Sequence, residues 1–95
     1  MELEFSGEVV EWRGPAPHHF VALPEAEAER VHEVARLATY GWGCIPVSGR
    51  LGRRDFTTSL FPKDGGYLLP LKVAVRRREA VALGDVVTVR LAIDV

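Results

Sequence analysis

Between Thr57 and Arg78 the chain reads TTSLFPKDGGYLLPLKVAVRRR, and this stretch limits the fold more than any other. A strand enters, a Pro-Lys-Asp-Gly-Gly turn at 62–66 follows, and an apolar run interrupted by Pro70 leads into three arginines. Glycine supplies positive φ at little cost, and proline removes a ladder donor. The stretch therefore specifies a hairpin with a strand on each side, then a short helix over about 73–79.

The rest of the chain repeats this grammar. Leu3, Phe5, Gly7 and Val9 alternate with Glu2, Glu4, Ser6 and Glu8, the pattern of a half-buried strand with a charged outer face. Val9 and Val10 are both apolar, and Trp12 follows, so a phase slip and a β-bulge are expected at Val9–Val10. Gly14-Pro15-Ala16-Pro17 ends that strand, and HHFVAL at 18–23 reads as the second. Pro24 then suits a first helical position, and Glu25, Glu27 and Glu29 suit the positive end of a helix dipole.

From about 24 to 39 the apolar spacing is helical through Ala28, Val31, Val34 or Ala35, and Ala38, with Gly41 as the stop. Residues 43–51 form a third strand that Pro46 marks as an edge or bulged strand, Gly52-Arg53 a tight turn, and 54–61 a fourth strand. The last strand turns in at Leu83-Gly84-Asp85 and places Val87, Val89, Leu91, Ile93 and Val95 inward. Each half thus runs strand, strand, helix, strand, and Phe20–Val47 parallels Tyr67–Val89 as a pseudo-repeat. The expectation is a single β-rich domain over 1–95, a partly closed barrel with one main helix.

Charge and cysteine usage narrow the function. The net charge of −1 disfavours a protein dominated by nucleic-acid affinity. Its distribution is uneven: residues 1–47 hold eight acids and three arginines, and 48–95 nine bases and five acids, so one basic face is available. The lone Cys44 excludes an internal disulfide framework and reads as a core thiol. No apolar run approaches membrane-spanning length, the N-terminus is not a signal peptide, and a cytoplasmic location is the expectation.

Several segments resemble a family of small bacterial and archaeal domains, domain of unknown function 1905. They are WRGPAP at 12–17, HFVALP at 19–24, GWGCIPV at 41–47, TSLFPKDGGYLLPLKVAVRR at 58–77 and LGDVVTVRL at 83–91. The resemblance implies a mainly β fold, a small double-split β-barrel of about six to seven strands. It implies no activity. Residues 69–91 are also similar to the half-barrel of AbrB-like swapped-hairpin transcription factors, in which two copies build the barrel and a basic face binds DNA. Shared fold does not carry function across.

The candidate residues cluster in the opening stretch. Lys63, Asp64, Gly65 and Gly66 can present backbone N–H groups and a point charge to an anion, or simply form a hairpin turn. Tyr67, Lys72, Arg76 and Arg13 complete an expected ligand site if they converge on that loop. His18 and His19 point to opposite faces of a strand and form no metal pair; no metal and no cofactor are expected. Trp12, Trp42, Phe61 and Tyr67 line a pocket or fill the core.

The best sequence reading is a binding module for a small anionic ligand or a protein partner, acting as a monomer or homodimer. The alternative is a nucleic-acid module using Arg50, Arg53, Arg54 and Arg76–Arg78. A third reading is an enzyme using Asp64 and Lys72.

Overall fold

A computed structural model describes residues 1–12, 18–38 and 43–94, apart from the side chains of Trp12, His18 and Ala38. The elements run β1 (Glu2–Trp12), β2 (His18–Ala22), α1 (Glu25–Ala38), β3 (Ile45–Leu51), β4 (Arg54–Lys63), β5 (Gly66–Leu71), α2 (Val73–Arg78) and β6 (Val86–Ala92). The six strands close into a barrel in the order β1-β2-β5-β4-β3-β6, with every neighbour antiparallel.

The barrel is split in two places because β1 and β4 change partners along their length. Residues Glu2–Glu8 of β1 pair with β6, and Val9–Trp12 pair with β2. Likewise Arg54–Leu60 of β4 pair with β3, and Phe61–Lys63 with β5. Exchanging β1 with β4, β2 with β5 and β3 with β6 maps every strand pair onto another strand pair. The pseudo-repeat expected from sequence is therefore the topology of the barrel, with a pseudo-dyad passing between β3 and β6.

Alternation explains the core. Leu3, Phe5 and Val9 of β1, Val21 of β2, Ile45, Val47 and Leu51 of β3, Leu60 of β4, and Val89 and Leu91 of β6 all point inward and are buried. Each large apolar side chain taken fully out of water contributes about 1.5–3 kcal/mol. Ala28 and Val31 bury the apolar stripe of α1, which lies against β3 and β5, while Glu25, Glu29, Arg30, Glu33 and Arg36 are exposed as the spacing predicts. Pro46 and Pro70 sit where their strands have only one ladder neighbour, so the missing donors cost no second ladder.

Some local expectations are corrected. There is no bulge at Val9–Val10: the ladder with β2 runs one residue for one from Val9↔Val21 to Trp12↔His18. Val10 instead faces outward at 44% exposure, beside an apolar outer patch. Pro62 and Lys63 belong to β4, and the turn is the two-residue Asp64-Gly65, with φ of 51° and 80°. Both values are positive, the type I′ geometry that matches strand twist. The residue pair taking positive φ is thus Asp64 and Gly65, and Gly66 is already in β5 opposite Lys63.

Cys44 is half-buried, not a core thiol. β3 begins at Ile45, the helices end at Ala38 and Arg78, and Val87 is half-buried. Gly41, Trp42 and Val95 lie outside the described residues. Among the described residues no helix is long and apolar enough to cross a membrane.

Candidate functional site

The residues expected to converge divide between the two ends of β5. Lys63, Asp64, Gly66 and Tyr67 do come together, lining a pocket of about 340 Å³ with Phe20 and Glu11. Lys72 follows the far end of β5, six residues from Gly66 or roughly 20 Å along a strand. There its Nζ donates to the Thr57 carbonyl at 3.0 Å. Arg76 is held at that same far end: Nε donates to the Leu71 carbonyl at 3.2 Å and Nη1 to His19 Nε2 at 3.4 Å. Asp64 and Lys72 therefore do not meet, which removes the pairing on which the enzyme reading rested. Arg13 lies outside the described residues.

At the hairpin the polar groups have structural duties. His32 of α1 lies 2.8 Å from the Gly65 carbonyl through Nε2 and 3.4 Å from the Tyr67 hydroxyl through Nδ1. A carbonyl only accepts, so Nε2 carries the proton and Nδ1 accepts from Tyr67. The chain Tyr67–His32–Gly65 clips α1 onto the β4–β5 turn.

Burial raises the Tyr67 pKa by desolvating the phenolate. The folded state then keeps the proton longer than the unfolded chain. The stability this gives is complete below about pH 10 and is lost as pH rises through the folded-state value. Urea midpoints taken across that range should fall more steeply for the native protein than for Tyr67→Phe.

The larger concavity lies elsewhere. A groove of about 820 Å³ crosses the outer face of β1, β6, β3 and β4. Its geometry follows from register. One inward row reads Leu3–Leu91–Gly49–Phe56, and the outward rows on either side read Glu2–Ala92–Ser48–Thr57 and Glu4–Arg90–Arg50–Asp55. Small residues Ala92 and Ser48 hollow the middle, and longer side chains form the walls. Gly49 is required because the Phe56 ring lies over it: a Cβ there would stand 2.5 Å from Cζ.

The second outward row is unusual. Arg50 and Arg90 are direct cross-strand partners, an arrangement that is unfavourable for sheet stability. Each is flanked by an acid: Arg50 Nε lies 3.8 Å from Asp55 Oδ1, and Arg90 Nε lies 3.6 Å from Glu4 Oε2. All four side chains are more than half exposed, so each pair contributes about 0–1 kcal/mol. Both contacts use Nε, and Nη1 and Nη2 of each guanidinium have no partner among the described residues.

The row is built from two copies of one pattern. VSGRL at 47–51 parallels VTVRL at 87–91, and Glu4-Phe5-Ser6 parallels Asp55-Phe56-Thr57. Equivalent residues of β3 and β6 face each other across the pseudo-dyad, which is why the two arginines meet. Sequence reasoning took Arg50 for the nucleic-acid alternative and missed Arg90 as its partner. The repeated V-x-x-R-L was the available signal, and the pseudo-repeat as first aligned, Val47 with Val89, passed two residues beyond it.

Two acids that follow the arginine run serve turns. Glu79 Oε1 accepts the Arg53 backbone N–H at 3.0 Å, and Asp85 Oδ2 accepts that of Ala82 at 2.8 Å. The first contact ties the Gly52–Arg53 turn to Glu79, the residue that follows the arginine run of α2.

These features define a closed six-stranded, double-split β-barrel with a charged groove on its outer face. The model of the family "Domain of unknown function (DUF1905)" matches residues 5–91, and the chain belongs to that family. No curated protein matches it in sequence.

Proposed function

We propose that this domain is a non-enzymatic binding module that holds the anionic group of a small ligand in the groove over β1, β6, β3 and β4. The observation that carries this reading is the opposition of Arg50 and Arg90 in the lining of that groove. Like charges facing each other across a ladder cost stability, and their exposed carboxylate partners offset little of it. A bound carboxylate or phosphate would take the unused Nη donors of both, and charge-assisted bonds of this type contribute about 1.5–3 kcal/mol each. The volume suits a small molecule.

The hairpin pocket supports this function less well. It is smaller, and Glu11 and Asp64 line it alongside Lys63. Calorimetric titration with anions bound by the native protein should show about tenfold or greater weakening for Arg50→Ala and for Arg90→Ala. Their unfolding free energies should change by no more than about 0.5 kcal/mol. Full affinity in both variants would remove the reading.

A second reading, polyanion binding, is supported by the hydrogen bond that ties Arg53 to Glu79, directly after Arg76–Arg78 in the chain. Retention on heparin that Arg53→Ala and Arg77→Ala abolish, with a steep salt dependence, is its expected signature. Three carboxylates in the groove, Glu2, Glu4 and Asp55, argue against a phosphate backbone lying there.

A further inference from the structure

We infer that the groove takes a small zwitterion, a molecule of the amino-acid type that carries a carboxylate and an ammonium together. This rests on the groove reading above and adds the cationic half of the ligand. The groove is not a plain anion site, because its lining holds Glu2, Glu4 and Asp55 against Arg50 and Arg90. Three negative charges against two positive ones weaken the hold on a simple anion, and a ligand that brings a positive group of its own removes that penalty.

The position of that group follows from the rows. Glu4 and Asp55 are engaged by the arginines. Glu2 stands on the same wall of the groove as Glu4, two residues or roughly 7 Å along β1, and its carboxylate has no partner among the described residues. Two cations lie nearby, but each is bonded to a backbone carbonyl and neither to that carboxylate. The Met1 ammonium donates to the Ile93 carbonyl at 2.8 Å, and Arg30 Nη2 reaches the backbone carbonyl of Glu2 at 3.5 Å. Between Glu2 and the arginine pair lie only the small side chains of Ala92 and Ser48. A carboxylate held by Arg50 and Arg90 therefore leaves an attached ammonium free to turn toward Glu2, over a floor open enough for the ligand's carbon skeleton.

The test is a titration of the isotope-labelled protein, followed by amide chemical shifts, with free amino acids at millimolar concentration and with their N-acetyl and carboxamide forms. Free amino acids should shift residues 48–50 and 90–92, and blocking either the ammonium or the carboxylate should weaken binding by about tenfold or more. Glu2→Gln should abolish the preference for the free form over the N-acetyl form while leaving the fold intact. If N-acetyl amino acids bind as tightly as the free ones, the zwitterion inference is overturned and the anion reading stands. If no compound shifts the groove residues, both are overturned.

Discussion

Leu60→Ala should lower the unfolding free energy by about 2–5 kcal/mol, the range for a buried leucine truncated in a packed core. Leu60 is fully buried and lies opposite Ile45, at the last pair before β4 leaves β3 for β5. At this switch point β4 is held by β3 on one side and by β5 just beyond, so the backbone has little freedom to close over the cavity left behind. For a domain of this size each kcal/mol corresponds to roughly 4–8 °C in Tm, and total stability is only about 5–15 kcal/mol. Thermal melts should therefore show a drop of about 10 °C or more. Leu37, 79% exposed on α1, provides the contrast, and its replacement by alanine should move stability by no more than about 0.5 kcal/mol. Equal effects at the two positions would contradict the inward assignment of β4.

Gly49→Val is the second large effect, and its sign is diagnostic. Valine is favoured over glycine in strands by up to about 1 kcal/mol, so at an open position the substitution would stabilise. Here the added Cβ would sit 2.5 Å from Phe56 Cζ and 2.8 Å from Cε2. The half-buried ring must leave its place over the glycine backbone, and overpacking of this kind costs about 1–3 kcal/mol. Denaturant unfolding should record a loss for Gly49→Val that shrinks in the background of Phe56→Ala, because the two residues are cross-strand partners and not independent sites. Strict additivity would mean that the ring does not cover the glycine. The substitution also deforms the floor of the groove, so ligand affinity should fall with it.

What the sequence makes legible here is what local chemistry decides. The alternation of Leu3, Phe5 and Val9 set the inward face of β1, the spacing of Ala28 and Val31 set the buried stripe of α1, and the glycines after Asp64 set a hairpin. Errors arose where a local signal had two meanings. Val9 and Val10 read as a phase slip, yet Val10 continues the alternation outward into an apolar patch where Phe20 packs edge-on to Phe61 at 6.2 Å. Apolar residues on both faces of a strand look like a slip when only one face is expected to be buried.

The candidate site was less legible because it depends on register. Lys63, Lys72 and Arg76 are near one another in sequence, but an extended strand carries Lys72 and Arg76 away from the hairpin. Arg50 and Arg90 are forty residues apart and become partners only because β3 and β6 pair across the pseudo-dyad. Composition also hid the groove. A net charge of −1 argues against polyanions but says nothing about two arginines on adjacent strands with an acid beside each.

The central claim, that the Arg50–Arg90 groove is where this barrel binds its ligand, is tested most directly by mapping a carboxylate titration onto backbone amide shifts. The largest shifts are expected at residues 48–50 and 90–92, and they should vanish in the Arg50→Ala, Arg90→Ala double variant. Shifts that centre instead on residues 63–67, or that persist in the double variant, would contradict it.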